Sequence, residues 1–271
     1  VAAQLSDGDD ANGGAAPEQA LRTLTKALAA AREGGRIHVA AGPYTRESGE
    51  RFPLAISRMA DVRILGTNRA ATVIDAGGVG VATGRVVTVE WGGGTRIEGV
   101  TLRGGYYAPK SWATFVGGAA AISRSSVVEL FDCLITSNTL GATGHGHGHG
   151  GGVYAADSRV TIRNCDVAHN TAFGSGIYNA LGGGAYATAS RVQIFESVFA
   201  GNKVKEVQVD SGGEQGGALY SAGTGASLLM RNVLVYTNRA EGGNASGHGL
   251  YLANNAVLEN CTVACNDGEG V

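Results

Sequence analysis

An eleven-residue block recurs five times in the second half of the chain. It runs Val128 to Asn138, Val160 to Asn170, Val192 to Asn202, Leu228 to Asn238 and Ala256 to Asn266. Successive copies start 32, 32, 36 and 28 residues apart. Repeats at this period specify a solenoid, a propeller or an array, because each unit leaves an apolar face that only its neighbour covers.

The columns of the block identify which. The first position holds Val128, Val160, Val192, Leu228 and Ala256, and the third holds Leu130, Ile162, Ile194, Met230 and Leu258. The sixth holds Cys133, Cys165, Ser197, Val233 and Cys261, and the eighth holds Ile135, Val167, Phe199, Val235 and Val263. Alternation of apolar and variable positions is the period of a strand. The inward parity slips between the third and sixth positions. Two short strands therefore meet at a bend around Asp132, Asn164, Glu196, Asn232 and Asn260. The closing asparagines are predicted to stack as an amide ladder, each side chain bonded to its neighbours.

A glycine element precedes each block: Gly117-Gly118-Ala119, Gly151-Gly152-Val153-Tyr154, Gly183-Gly184-Ala185-Tyr186, Gly216-Gly217-Ala218-Leu219-Tyr220 and Gly249-Leu250-Tyr251. Glycine permits a tight corner before a third strand. Three short strands per repeat, with corners and one longer variable loop, make one turn of a parallel β-helix. A leucine-rich horseshoe needs a leucine consensus and a propeller needs four strands per blade, so neither fits. The expected fold is all-β: a single-stranded right-handed parallel β-helix with an N-terminal α-helical cap, divided into a lead-in and cap (1–36) and one β-helix domain (37–271).

Within 1–36, Pro17 to Arg32 reads as the one helix. Pro17 suits its first turn, Leu21, Leu24, Leu28 and Ala31 form an apolar stripe, and Gly34-Gly35 ends it. Such a helix covers the open end of a solenoid core. The following coils, 36–116, are less regular. Strands are expected at Arg36 to Ala40, Val62 to Gly66, Ala71 to Asp75 and Val86 to Val89, with a turn at Gly42-Pro43. Thr95 to Gly105 reads as a degenerate block with glycine in place of the asparagine. Tyr106 to Phe115 reads as a loop or flap. The missing initiator Met suggests a trimmed chain, and the stop at Val271 a fragment or a missing continuation.

Composition narrows the partners. Glycine accounts for 45 of 271 residues without a Gly-X-Y period, which excludes collagen, and four prolines with 44% hydrophobic residues argue against disorder. A net charge of -2 offers no basic footprint for nucleic acid. No apolar run approaches the ~20 residues of a transmembrane helix.

The opening, Asp7-Gly8-Asp9-Asp10 through the helix to Ile37-His38-Val39-Ala40-Ala41-Gly42-Pro43-Tyr44, resembles that of secreted DUF1565-type β-helix proteins and of some polysaccharide lyases. The later repeats resemble the chlamydial polymorphic outer-membrane protein repeat, with hallmarks Gly-Gly-Ala-Ile/Leu/Val and Phe-x-x-Asn. Gly216-Gly217-Ala218-Leu219 and Phe199-Ala200-Gly201-Asn202 match these in full, whereas other copies carry Ile135, Val167, Val235 or Val263 for the phenylalanine. These resemblances imply the fold and export to the exterior or cell surface. They leave activity open, because this architecture hosts adhesins, lyases, epimerases and plain stalks.

Four groups of residues are candidates for function. Tyr154, Tyr186, Tyr220 and Tyr251 recur next to the inward aliphatic column, so they form an outward ladder able to stack sugar rings, or a packing ladder covered by the loops. His145, His147 and His149 alternate with glycine and lie on one face of an extended segment, as ligands of a transition metal (Zn, Cu or Ni) or as solvated side chains of a pliable loop. Asp7 and Asp9, with Asp10 and Asn12, offer oxygen ligands to Ca²⁺ or cap the lead-in, and their spacing matches no EF-hand. Cys133 and Cys165 fall one coil apart in a core column and read as small apolar fillers.

A polyuronide lyase would bring a basic residue and two or more carboxylates together on one face. The chain has four lysines, with Lys26 in the cap and Lys110, Lys203 and Lys205 in loops, and no such convergence is legible. The resulting expectation is a secreted or cell-surface module with a structural, adhesive or glycan-binding role, its partner a polysaccharide or surface protein. The alternatives are a lyase or epimerase acting on an acidic glycan with Ca²⁺, and a subunit that self-associates through its C-terminal coil.

Overall fold

The computed structural model describes residues 1–3, 8–79, 84–107, 113–141, 146–175, 179–206, 213–242 and 244–267. The chain winds as a right-handed parallel β-helix in which every described strand pair is parallel. Each block starts on the same register. Val128 pairs with Val160, Val160 with Val192, Val192 with Leu228, and Leu228 with Ala256. Thr95 pairs with Val128, which places the degenerate block one coil earlier.

The inward columns build one continuous core. Ile37, Ile64, Ile97, Leu130, Ile162, Ile194 and Met230 are each at most 1% exposed, and so are Leu102, Ile135, Val167, Phe199 and Val235. The predicted bend is a left-handed residue in every block: Asp132, Asn164, Glu196, Asn232 and Asn260 have φ between 49° and 56°. Asn and Asp tolerate this region best, which suits four of the five positions.

The amide ladder forms as expected. Asn138, Asn170, Asn202 and Asn238 are each 0% exposed. Each Nδ2 donates to the Oδ1 of the next asparagine, at 2.9, 3.0, 2.9 and 2.9 Å, ending on Asn266. Where glycine replaces the asparagine, the Gly105 backbone N–H donates to Asn138 Oδ1 at 2.9 Å and closes the ladder. The cysteines fill their column as reduced thiols. Cys133 and Cys165 are buried and free, and the Cys133 N–H donates to Cys165 Sγ at 3.4 Å.

The coil itself is larger than expected. A middle coil has five strands, not three: Val153–Ala156, Arg159–Arg163, Asp166–Ala168, Thr171–Gly174 and Ala180–Leu181. The first three make the body. The last two occupy the supposed variable loop and stack, coil on coil, into a second lobe of five-stranded and four-stranded sheets. This lobe has its own small core of Ala172, Ala180, Val204 and Ala240. The expected flap after Tyr106 belongs to it, because Tyr106–Tyr107 and Ala113–Val116 are its first described strands. Lys203 and Lys205 likewise lie on a strand, not in a loop. Small side chains at the lobe's inward positions let its sheets approach closely, a pattern too weakly apolar to read as a core.

The N-terminal cap also differs. Pro17–Gln19 is a 3-10 turn and the α-helix, α1, spans only Leu24–Ala30. Asp10 explains the break: its Oδ1 accepts from the backbone of Arg22 and Thr23 at 3.0 and 2.9 Å, and its Oδ2 accepts from the Thr23 hydroxyl at 2.9 Å. These bonds hold Thr23 extended as the N-cap of α1. Glu50 completes the cap, accepting from the N–H groups of Leu24 and Thr25 at 2.5 and 2.9 Å. The lead-in joins the body directly, because Ala2–Ala3 pairs with Arg36–Val39. Gly42-Pro43, expected as a turn, is a strand with Tyr44 and pairs with Thr72–Ile74.

Candidate functional site: an arginine-bearing face of the helix

One sheet face of the body collects arginines that are scattered in the sequence. Parallel pairing in register aligns equivalent positions of successive coils about 4.8 Å apart. Arg36, Arg63 and Arg96 thus form one outward column, continued by Glu129, Thr161 and Gln193. Arg159 and Arg191 form a second. A third runs Glu98, Phe131, Arg163, Phe195, Arg231 and Glu259. Arg36, Arg63, Arg159 and Arg191 are exposed. Arg96 is held by Glu98 at 2.7 Å and by Glu129. Its guanidinium also lies over the Phe131 ring at 4.3 Å, as Arg163 lies over Phe195 at 4.5 Å. Seven arginines face three glutamates on this surface, within a chain of net charge -2.

At the bend bordering this face, a cation meets two carboxylates. Arg69 stands 3.7 Å from Asp132 and 3.3 Å from Asp166, and it also donates to the carbonyl of Asn164. Arg69 belongs to a coil two turns earlier. It reaches along the helix axis past Gly99, which occupies the bend of the intervening coil without a side chain. A basic side chain and two carboxylates from three different coils thus converge at one bend. The convergence is illegible in the sequence because Arg69 lies 63 residues before Asp132 (132 − 69), in a loop outside the repeat.

The tyrosines do form a ladder. Ring centroids are 5.4, 5.1 and 5.0 Å apart from Tyr154 through Tyr186 and Tyr220 to Tyr251, with planes within 5° of parallel. The rings stack on one another, so the faces of Tyr186 and Tyr220 are occupied, and Tyr186 is itself buried. His149 stacks on Tyr186 at 4.5 Å, tying the lobe to the body.

His147 and His149 lie on the strand Gly146–His149, where the segment is ordered by parallel neighbours and is not a pliable loop. His145 and Asp7 fall outside the described residues. His147 Nδ1 accepts from the Asn179 backbone at 3.0 Å, and His149 Nε2 is buried without a partner. Asp9 Oδ1 accepts from the Ala11 N–H, and Asp10 accepts from Arg22 and from Thr23, the N-cap of α1, so both make bonds within the N-terminal segment. No group of three His, Cys, Asp or Glu side chains is placed to hold a metal among the described residues.

Burial, with a smaller contribution from His147, lowers His149 from 6.5 to about 4. The neutral imidazole is therefore the folded form. The unfolded chain takes up a proton below about 6.5 that the folded chain refuses until about 4, so stability falls as pH drops through that window. The expected loss is on the order of 2–3 kcal/mol. Unfolding of the native chain and a His149→Phe variant at pH 7 and pH 4 checks it, the variant losing less on acidification.

No curated protein matches the chain. Among solved structures, it is similar to pectin methylesterase PemA from Erwinia chrysanthemi, with 13% identity, TM-score 0.51, and coverage of 100% of this chain and 80% of that one. A pectin methylesterase in complex with a hexasaccharide gives the same values. A rhamnogalacturonan lyase matches with 14% identity, TM-score 0.50, and coverage of 95% and 72%. At such identities the likeness establishes the parallel β-helix fold. The family model described as "Protein of unknown function (DUF1565)" matches residues 6–266, and the chain belongs to that family.

Proposed function

We propose that this chain is a glycan-binding β-helix module acting outside the cell, with an acidic polysaccharide lying along its arginine face. The observation that carries this reading is the register that places seven arginines on one outward sheet face of a slightly acidic protein. Arginine offers a planar fork of donors that matches a carboxylate or sulfate group. Phe195 stands between Arg163 and Arg231, and Phe131 between Glu98 and Arg163, each ring backed by a guanidinium and adding apolar surface to the face. The ladder spacing of about 4.8 Å lets one ligand chain meet a guanidinium at several successive coils. The known structures it resembles include proteins named for pectin and rhamnogalacturonan, which agrees with a glycan ligand.

A second reading, lyase or epimerase action on the same polymer, is favoured by Arg69 between Asp132 and Asp166 beside that face. One experiment addresses binding and lyase action together. The protein is titrated with polygalacturonate and with a neutral glucan, and ultraviolet absorbance is followed for unsaturated ends. Saturable binding of the acidic polymer is expected, weakening steeply with salt. Arg159→Ala with Arg191→Ala is expected to weaken it about tenfold or more, since each charged contact contributes roughly 1 kcal/mol. Equal affinity for the neutral polymer would refute the arginine-face reading. Growth of absorbance would move the function to catalysis, with Asp132→Asn as the variant to abolish it.

A further inference from the structure

The second lobe buries two carboxylates that the proposed glycan site does not use. Its inward positions are small and apolar at Ala172, Ala180, Val204 and Ala240. In the last strands of the lobe, register replaces Ala180 by Glu214 and Gly174 by Glu206. Glu214 is 0% exposed, and neither its Oε1 nor its Oε2 has a hydrogen-bond partner. Glu206 is 8% exposed and takes part in another polar interaction. Gly242 makes room for the Glu214 carboxylate, because a Cβ there would stand 2.2 Å from Oε2. The Glu214 carbonyl accepts from the Ser246 N–H at 2.9 Å, so the segment after Gly242 folds back over this site.

A buried carboxylate without a donor is costly, and it is relieved either by a proton or by a cation. The neighbouring basic groups do not supply the cation to Glu214. Lys203, Lys205 and Arg239 alternate to the other side of their strands and converge on Glu241, at 2.9, 3.4 and 3.5 Å. We propose that Glu214 and Glu206 form the carboxylate half of a divalent-cation site of the Ca²⁺ class at this end of the lobe. The donor set is oxygen only, which suits a hard cation and not a thiophilic or imidazole-seeking metal. No third acidic, His or Cys side chain joins them among the described residues, so backbone carbonyls and water complete the shell. A cation there would link the two sheets of the lobe, because Glu206 and Glu214 come one from each.

Burial, and then Glu206, raises Glu214 to about 7, so the Glu214 carboxyl is charged at pH 8 and protonated at pH 5. The test is calorimetric titration of the chelator-treated chain with CaCl₂ and, in parallel, MgCl₂. One equivalent of Ca²⁺ is expected to bind at pH 8, to raise the melting temperature, and to bind at least tenfold more weakly at pH 5. Glu214→Gln, close in shape, is expected to abolish the saturable heat, and Glu206→Gln to weaken it. If Glu214→Gln fails to fold, Gly242→Ala, which crowds the carboxylate, is expected to weaken binding instead. Absence of saturable heat with either salt, or undiminished binding by a folded Glu214→Gln variant, overturns the proposal. Polygalacturonate binding by the same variants reads the arginine face separately.

Discussion

Asn202→Ala is expected to destabilise the β-helix by about 4 kcal/mol. The side chain is 0% exposed and sits in the middle of the amide ladder. Its Nδ2 donates to the Val167 carbonyl at 2.7 Å and to Asn238 Oδ1 at 2.9 Å. Its Oδ1 accepts from the backbone N–H and the Nδ2 of Asn170 at 3.1 and 3.0 Å. Alanine removes all four bonds and leaves the Asn170 N–H buried without this acceptor. Each buried polar group orphaned in this way costs roughly 1–3 kcal/mol. The measurement is urea unfolding with amide hydrogen exchange. Protection is expected to fall first in the coils containing Asn170 and Asn238, because a solenoid couples only neighbouring turns. Asn266→Ala, at the end of the ladder and partly exposed, is expected to cost about 1 kcal/mol. Equal effects at the two positions would mean that the ladder does not act as a buried network.

Gly183→Ala is expected to be at least as damaging, at upwards of about 3 kcal/mol, by packing instead of hydrogen bonding. The body and the second lobe share a wall at the glycine corner. A Cβ on Gly183 would stand 2.4 Å from the carbonyl oxygen of Gly217 in the next coil and 2.5 Å from that of Lys203 in the lobe. Both obstacles are backbone, so no rotamer change relieves the overlap. The lobe strand or the next coil has to move. Gly13→Ala is the control, with nothing within 4 Å of the added carbon, and is expected to be neutral. Thermal unfolding of the two variants provides the comparison, and a Gly183→Ala protein that melts with the native chain would show that lobe and body are not in close contact there.

Both predictions bear on the repeat motifs. Phe199 fills the core, Asn202 carries the ladder, and Gly216 takes φ +69 at the corner. These Gly-Gly-Ala-Leu and Phe-x-x-Asn residues are requirements of winding a narrow coil. They mark the fold and carry no information about a ligand.

The sequence by itself determined the elements whose period is local. Inward columns, the left-handed bend, the asparagine ladder and the tyrosine ladder each follow from residues repeated within one coil, since parallel stacking in register carries a repeated position into a column. Tertiary structure alone decided the features that cross between coils without repeating. The arginine face joins positions whose identities change from copy to copy of the block, and the pairing of Arg36 with Arg63 and Arg96 in the irregular first coils, beside Arg159 with Arg191, assembles it. Arg69 reaches Asp132 and Asp166 along the axis, a direction that sequence period does not record. The second lobe was hidden for another reason. Its core is alanine and valine, whose burial gains little per residue, and its strands pair through the backbone with the coils on either side. The helix of the cap was shortened by Asp10, whose carboxylate claims the N–H groups of Arg22 and Thr23 across the lead-in. Periodicity reports which side chains face inward; contacts between turns decide where charge gathers and where the chain stops being a helix.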